Sequence, residues 1–214
     1  MNSIFLALEQ LRTQLSQALP AAPGIRHFDV SFPLNDAFDP LAWLGEQQCY
    51  PQFYWQQRNG DEELAALGAV NQFSSLALAS QFLREQNAAS DTRICGLNAF
   101  NPEQGSLFLP RLLWRRTAGN ATLRLQLWSD YSLQEDALAA RDFLEQLRPA
   151  RSIRPLSVQV EHETHQPQQA EWLRLIRRAT ETIARGDFEK VVLARATDLQ
   201  FTQRVNPIAL MAAS

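Results

Sequence analysis

The stretch GDFEKVVLARATDL, residues 186–199, sets one ammonium at the mouth of an apolar run. On a strand, Lys190 shares a face with Val192, Ala194 and Ala196, while Val191, Leu193 and Arg195 take the other. Both faces are largely apolar, so the spacing predicts a strand over 188–200 covered on both sides. A lysine there either snorkels from the strand end or lies in a cleft, and periodicity alone favours snorkelling. In a cleft, desolvation and neighbouring cations can leave such an amine neutral and able to take a proton.

Other chemistry-bearing residues are less promising. His162 and His165 in EHETH have no third ligand at a helical or finger spacing, and the segment reads as a solvated loop before a helix. Arg115-Arg116 and Arg177-Arg178 read as solvated faces. Phe53, Tyr54 and Trp55 alternate across a strand as core and rim. No GxGxxG, P-loop or GxSxG occurs, and His27 has no serine or cysteine motif to make a triad.

The elements that must position these residues follow from periodicity. Ile4, Leu8, Leu11, Leu15 and Leu19 mark a first helix, and IRHFDVSFP a strand. DPLAWLGEQ predicts a short helix from Pro40. Asn59-Gly60 predicts a β-hairpin with positive φ at both turn positions. Ser74 or Ser75 caps a helix to about Gln86, with Leu76, Ala79, Phe82 and Leu83 inward. RICGLNAF, SLFLPRLLWRR and ATLRLQLWS read as strands, the last alternating Leu123, Leu125, Leu127 against Arg124, Gln126, Trp128. Ser132 caps a helix to about Leu147, and RPARSIRP reads as a connector. After a short strand, LSVQVEH, Trp172, Leu175, Ile176, Ala179 and Ile183 form the cleanest apolar stripe, ended by Gly186. A last helix starts near Pro207 and meets no stop signal before Ser214, which leads to the expectation that the chain is a fragment.

Composition narrows the function classes. The 214 residues are 45% hydrophobic and 20% charged, with a net charge of −3. That balance argues against nucleic acid or an anionic membrane surface as partner, since both need a basic face. No run of about 18 apolar residues predicts a membrane span. The N-terminus lacks the basic start and apolar block of a signal peptide. Cys49 and Cys95 are isolated, so a reduced, cytoplasmic chain without disulfide or zinc framework is expected.

The segment IARGDFEKVVLARATDL resembles the opening signature of the chorismate-binding domain shared by isochorismate, salicylate, anthranilate and aminodeoxychorismate synthases. The matching positions are Ile183, Gly186, Asp187, Lys190, Val191, Val192 and Arg195. Upstream, YPQFYWQQRNGDEE, ALGAV, GLNAF and LPRLLWRR resemble the menaquinone-pathway isochorismate synthases of enteric-type bacteria, so the resemblance covers essentially the whole chain.

The resemblance implies an α+β chain, the N-terminal portion of the chorismate-utilising fold, with largely antiparallel sheets flanked by helices. It implies a non-catalytic region over 1–150 and the start of the catalytic domain over 155–214. The implied reaction adds water at C2 of chorismate and expels the C4 hydroxyl, with Mg²⁺ as cofactor and chorismate as substrate. In water-using members a lysine serves as base where the ammonia-using anthranilate synthases carry glutamine. That role passes to Lys190, reversing the preference for snorkelling. Salicylate synthases share the lysine but match the upstream segments less closely, and the Leu-Leu-Glu-Ser run of anthranilate synthase is absent. The acid and the glutamates for Mg²⁺ are expected beyond Ser214, so no metal ligand is assigned in this chain. These 214 residues alone are accordingly expected to be inactive, a silent scaffold whose truncated strand leaves apolar surface exposed and prone to association.

Overall fold

The computed structural model describes residues 3–33, 38–101, 103–117 and 119–213. The chain divides into two compact units, Met1–Ile153 and Arg154–Ser214.

The first unit is built on an antiparallel sheet. Its elements are α1 (Ser3–Leu15), β1 (Gly24–Pro33), α2 (Pro40–Glu46), β2 (Gln52–Gln56), β3 (Glu62–Phe73), α3 (Leu76–Glu85), β4 (Cys95–Asn98), β5 (Gly105–Thr117), β6 (Asn120–Ser129) and α4 (Leu133–Glu145). The strand order is β1-β6-β5-β3-β2, with β4 also paired to β5. The edge of β5 that faces away from β3 is shared: β6 takes residues 112–117 and β4 takes 105–108.

Pro110 explains that division. It lacks a backbone N–H and so interrupts a central ladder. Opposite it, β3 carries a bulge between Ala69 and Asn71, just after Gly68 at φ +66°. A side chain on Gly68 would put its Cβ 2.8 Å from the Phe143 ring of α4. The Pro110 carbonyl is satisfied by Gln126 Nε2, which donates over 2.8 Å.

α1 and α4 pack on one another and on β1 and β6. Ile4, Leu8, Leu11 and Leu15 are buried, whereas Leu19 lies beyond the end of α1 and is half-buried. Asp39 caps α2 by accepting from Ala42 N at 2.9 Å, Ser75 caps α3 and Ser132 caps α4. Ala79 and Phe82 of α3 face inward as expected, but Leu76 is exposed.

The β2–β3 hairpin forms with different turn geometry from that expected. Gly60 N donates to Gln57 O at 2.8 Å, so Arg58 and Asn59 are the central residues. Only Gly60, at φ +79°, uses the left-handed region. A tight turn closed by a left-handed glycine suits this longer loop.

The second unit contains β7 (Val160–Gln166), α5 (Gln169–Ala184), β8 (Ala196–Phe201) and α6 (Pro207–Ala212). β7 and β8 form an antiparallel two-stranded sheet. Asn206 caps α6, accepting from Ile208 N at 2.9 Å. α6 ends at Ala212, and Ser214, to which that helix was expected to run, lies outside the described residues.

Two expectations are corrected here. The strand read as LSVQVEH is β7 over 160–166, so EHETH is ladder and not loop. The strand read over 188–200 begins only at Ala196, and residues 188–195 are outside any ladder. Nor is it covered on both sides, since every residue of β8 except Phe201 is exposed. A run of apolar residues specifies a buried strand only when neighbours exist to bury it. Among the described residues no helix is long and apolar enough to cross a membrane.

Candidate functional site

Lys190 follows directly on a helix stop. After Ala184, Gly186 takes φ +81°. Its N–H donates to Ile183 O at 2.9 Å and Asp187 N–H donates to Thr182 O at 3.3 Å. This pair of bonds is the Schellman closure, which needs a left-handed residue and so favours glycine. The stop ends α5, and Phe188 to Arg195 follow as an irregular segment leading into β8.

Within that segment Lys190 is exposed, with no hydrogen bond or ion pair to the described residues. The neighbours expected to enclose it are exposed as well: Phe188 at 38%, Val191 at 41% and Val192 at 81%. Arg195 is anchored, its Nε donating to Pro167 O at 3.1 Å, which ties the segment back to the entry of α5.

The histidines do not converge. On β7, His162 and His165 point to opposite faces, being three residues apart on a strand. His165 Nδ1 lies 2.9 Å from Thr197 Oγ1 and its Nε2 lies 3.1 Å from Glu163. Among the described residues no three His, Cys, Asp or Glu side chains form a group that could hold a metal ion. The residues present therefore do not fit a Mg²⁺ site.

The first unit holds polar groups that alternation alone did not expose. Arg124 and Gln126, which alternate with Leu123, Leu125 and Leu127 along β6, are buried as well, so both faces of this strand are covered. Arg124 bonds Asp29 over 2.7 and 2.6 Å and Asp91 over 2.6 Å. Arg111 of β5 forms a two-bond pair with Asp136 of α4, both bonds 2.6 Å. Arg115 and Arg116, read as solvated, pair with Glu62 at 2.6 Å and Glu63 at 2.9 Å. Glu63 also accepts from Tyr54 Oη at 2.7 Å, and with burial this bond pushes the Tyr54 hydroxyl pKa above its usual value. For Asp29–Arg124, Glu62–Arg115 and Glu63–Arg116 the signal is opposing charge on adjacent strands, legible only once register is known. Cys49 and Cys95 are free, and burial pushes the Cys95 thiol up to about 12.

The Arg124 bond holds the Asp91 carboxyl below its ordinary value of 3.8. A depressed acid stabilises the fold above its unfolded pKa and loses that contribution as pH falls through the folded value. Asp91→Asn is expected to lower Tm at pH 7, with the difference from the parent shrinking once the pH falls below 3.8. A difference unchanged from pH 7 to pH 3 in calorimetry would remove the ion pair as its cause.

Comparison with known proteins adds an independent line. The family model described as chorismate binding enzyme matches residues 21–213. The chain is 55% identical over all 214 residues to the isochorismate synthase MenF of Escherichia coli, covering 50% of it. It is 32% identical over 158 residues to the isochorismate synthase MenF of Pasteurella multocida, covering 73% of this chain and 35% of that one. The solved structure of the menaquinone-specific isochorismate synthase of Escherichia coli superposes with a TM-score of 0.91, over 100% of this chain and 50% of that chain. The chain thus spans about half the length of the E. coli relative.

Proposed function

This chain belongs to the chorismate-binding enzyme family, and from that membership we propose that it is the N-terminal part of an isochorismate synthase serving menaquinone synthesis. The observation that carries the reading is 55% identity over the whole chain to an enzyme of that activity. Residues 1–150 act as the non-catalytic region and 155–214 open the chorismate-binding domain. The free thiols of Cys49 and Cys95 accord with a cytoplasmic setting.

Lys190 is the proposed base. Its unprotonated Nζ takes a proton from water as the water oxygen bonds C2 of chorismate. The ring double bonds shift, the C4–O bond breaks, and the hydroxyl leaves as water once an acid protonates it. One water enters and one leaves, so the net change is an isomerisation. Mg²⁺ supplies positive charge against the substrate carboxylate when bound, and its ligands, like the acid, belong to the half of the relatives that this chain does not span. The exposure of Lys190 favours a second reading for the 214 residues by themselves, that of a silent scaffold.

Chorismate turnover with Mg²⁺ tests both readings. The 214 residues alone are expected to give none. The same residues joined to the complementary half of the E. coli relative are expected to give isochorismate. Salicylate or anthranilate as the main product would overturn the assignment, and turnover by the 214 residues alone would overturn the division of the site.

A further inference from the structure

The β7–β8 ladder stops where a proline enters it. Gln166 pairs with Ala196, so continuing the register would set Pro167 opposite Arg195. Pro167 has no N–H with which to extend the ladder. A side chain takes over instead: Arg195 Nε donates to the Pro167 carbonyl over 3.1 Å. Pro167 lies just before Gln168, which caps α5 without a side-chain bond. Arg195 therefore grips the entry of α5, and it does so from the last residue before β8.

The other end of the Lys190 segment is held at the exit of the same helix, where Asp187 N–H donates to Thr182 O. The residues between Asp187 and Arg195 thus bridge the two ends of α5. The 16 residues of α5 rise about 24 Å. The Cα–Cα steps from Asp187 to Arg195 reach at most roughly 29 Å at full extension. The slack is a few ångströms, so the Arg195 bond limits where Lys190 can sit. Lys190 is also the only lysine in the sequence. An arginine keeps its proton at any working pH, whereas a lysine can lose one.

We propose that Arg195 is a positioning residue for Lys190, holding the segment taut along α5 so that the amine is presented at one place. The proposal rests on the reading of Lys190 as base. Arg195 acts through Lys190 and not on the substrate. Its loss leaves the β7–β8 ladder in place but frees the last link of the bridge, which lets Lys190 shift. Misplacing a catalytic group by about 1 Å can cost about a hundredfold in rate.

Two measurements test it. Because Lys190 is the only lysine, a protease specific for lysine cleaves the 214-residue chain at one bond. Its rate reports how readily the segment around that bond opens. Arg195→Ala is expected to speed this cleavage at least about threefold, after correction by the rate on the urea-unfolded chain. Arg178→Ala, at an exposed position of α5, is expected to leave it unchanged. The second measurement uses the chain joined to the complementary half of the E. coli relative. Arg195→Ala is expected to lower kcat for isochorismate formation about tenfold, with chorismate KM changed by less than about threefold. On a Lys190→Ala background the same change should have no further effect, since residues that act as a unit are not additive. Unchanged cleavage overturns the proposal, as does an unchanged kcat. So does an equal loss on both backgrounds, which marks a merely structural role. Near-parent output from Lys190→Ala removes the base reading and with it the proposal, whereas unchanged cleavage strikes the proposal alone.

Discussion

In the chain joined to the complementary half of its E. coli relative, Lys190→Ala is expected to lower isochorismate formation roughly a hundred- to ten-thousand-fold, the usual contribution of a positioned general base. Chorismate KM is expected to change little, because an amine that touches only the attacking water adds little to ground-state binding. Lys190→Gln should fail to the same degree, since an amide cannot accept the proton. In the 214-residue chain Lys190 is an exposed side chain outside any ladder, and circular dichroism of each joined variant separates lost chemistry from unfolding. Output from Lys190→Ala within about threefold of the parent would remove the residue from the base role, as an effect that small lies far below the range for a positioned base.

The geometry around Lys190 shows what a half-length chain can and cannot specify. Gly186 and the Schellman bonds that stop α5 are set by local sequence, and they were legible as a helix end. The same holds for the caps at Ser75 and Ser132, where a short polar side chain meets an apolar period. The strand expected at 188–200 was not realised in full, because backbone ladders need partners and only β7 is present to pair with Ala196–Phe201. Likewise α5 showed its stripe in the sequence but not its exposure, since periodicity reports which face wants burial and not what will bury it.

The polar interior of the first unit was hidden for a different reason. Alternation in β6 set Arg124 and Gln126 on the face opposite Leu123, Leu125 and Leu127, and gave no sign of what covers it. Both are buried, because the chain wraps further elements over that side and compensates each group with a specific partner. Such partners lie far apart in sequence: Arg124 and Asp29 are separated by 95 residues. No local rule reaches that distance, whereas register does, once Asp29 is placed opposite Arg124 across β1 and β6.

The largest expected loss of stability follows from that interior. The Arg111 and Asp136 side chains are only 10% and 13% exposed. Asp136 accepts both guanidinium bonds and also the Trp128 backbone N–H at 3.0 Å, so one carboxylate joins β5, β6 and α4. Arg111 keeps one further bond, from Nη1 to Gln126 O at 3.0 Å. Asp136→Ala therefore strands a buried cation and orphans a backbone donor together. Breaking a buried pair from one side costs about 3–5 kcal/mol. For a chain of this size that corresponds to a fall in Tm on the order of 10 °C. The attraction within an intact pair is largely offset by the cost of desolvating both charges. Arg111→Met with Asp136→Leu should then recover most of what Asp136→Ala loses, although the double variant deletes more polar bonds. Urea unfolding followed through tryptophan fluorescence measures all three proteins. If Asp136→Ala lost less than about 1 kcal/mol, the guanidinium would be reaching solvent on its own, and the joint between α4 and the sheet would have to be credited to Leu133, Ala137, Ala140 and Leu144 alone.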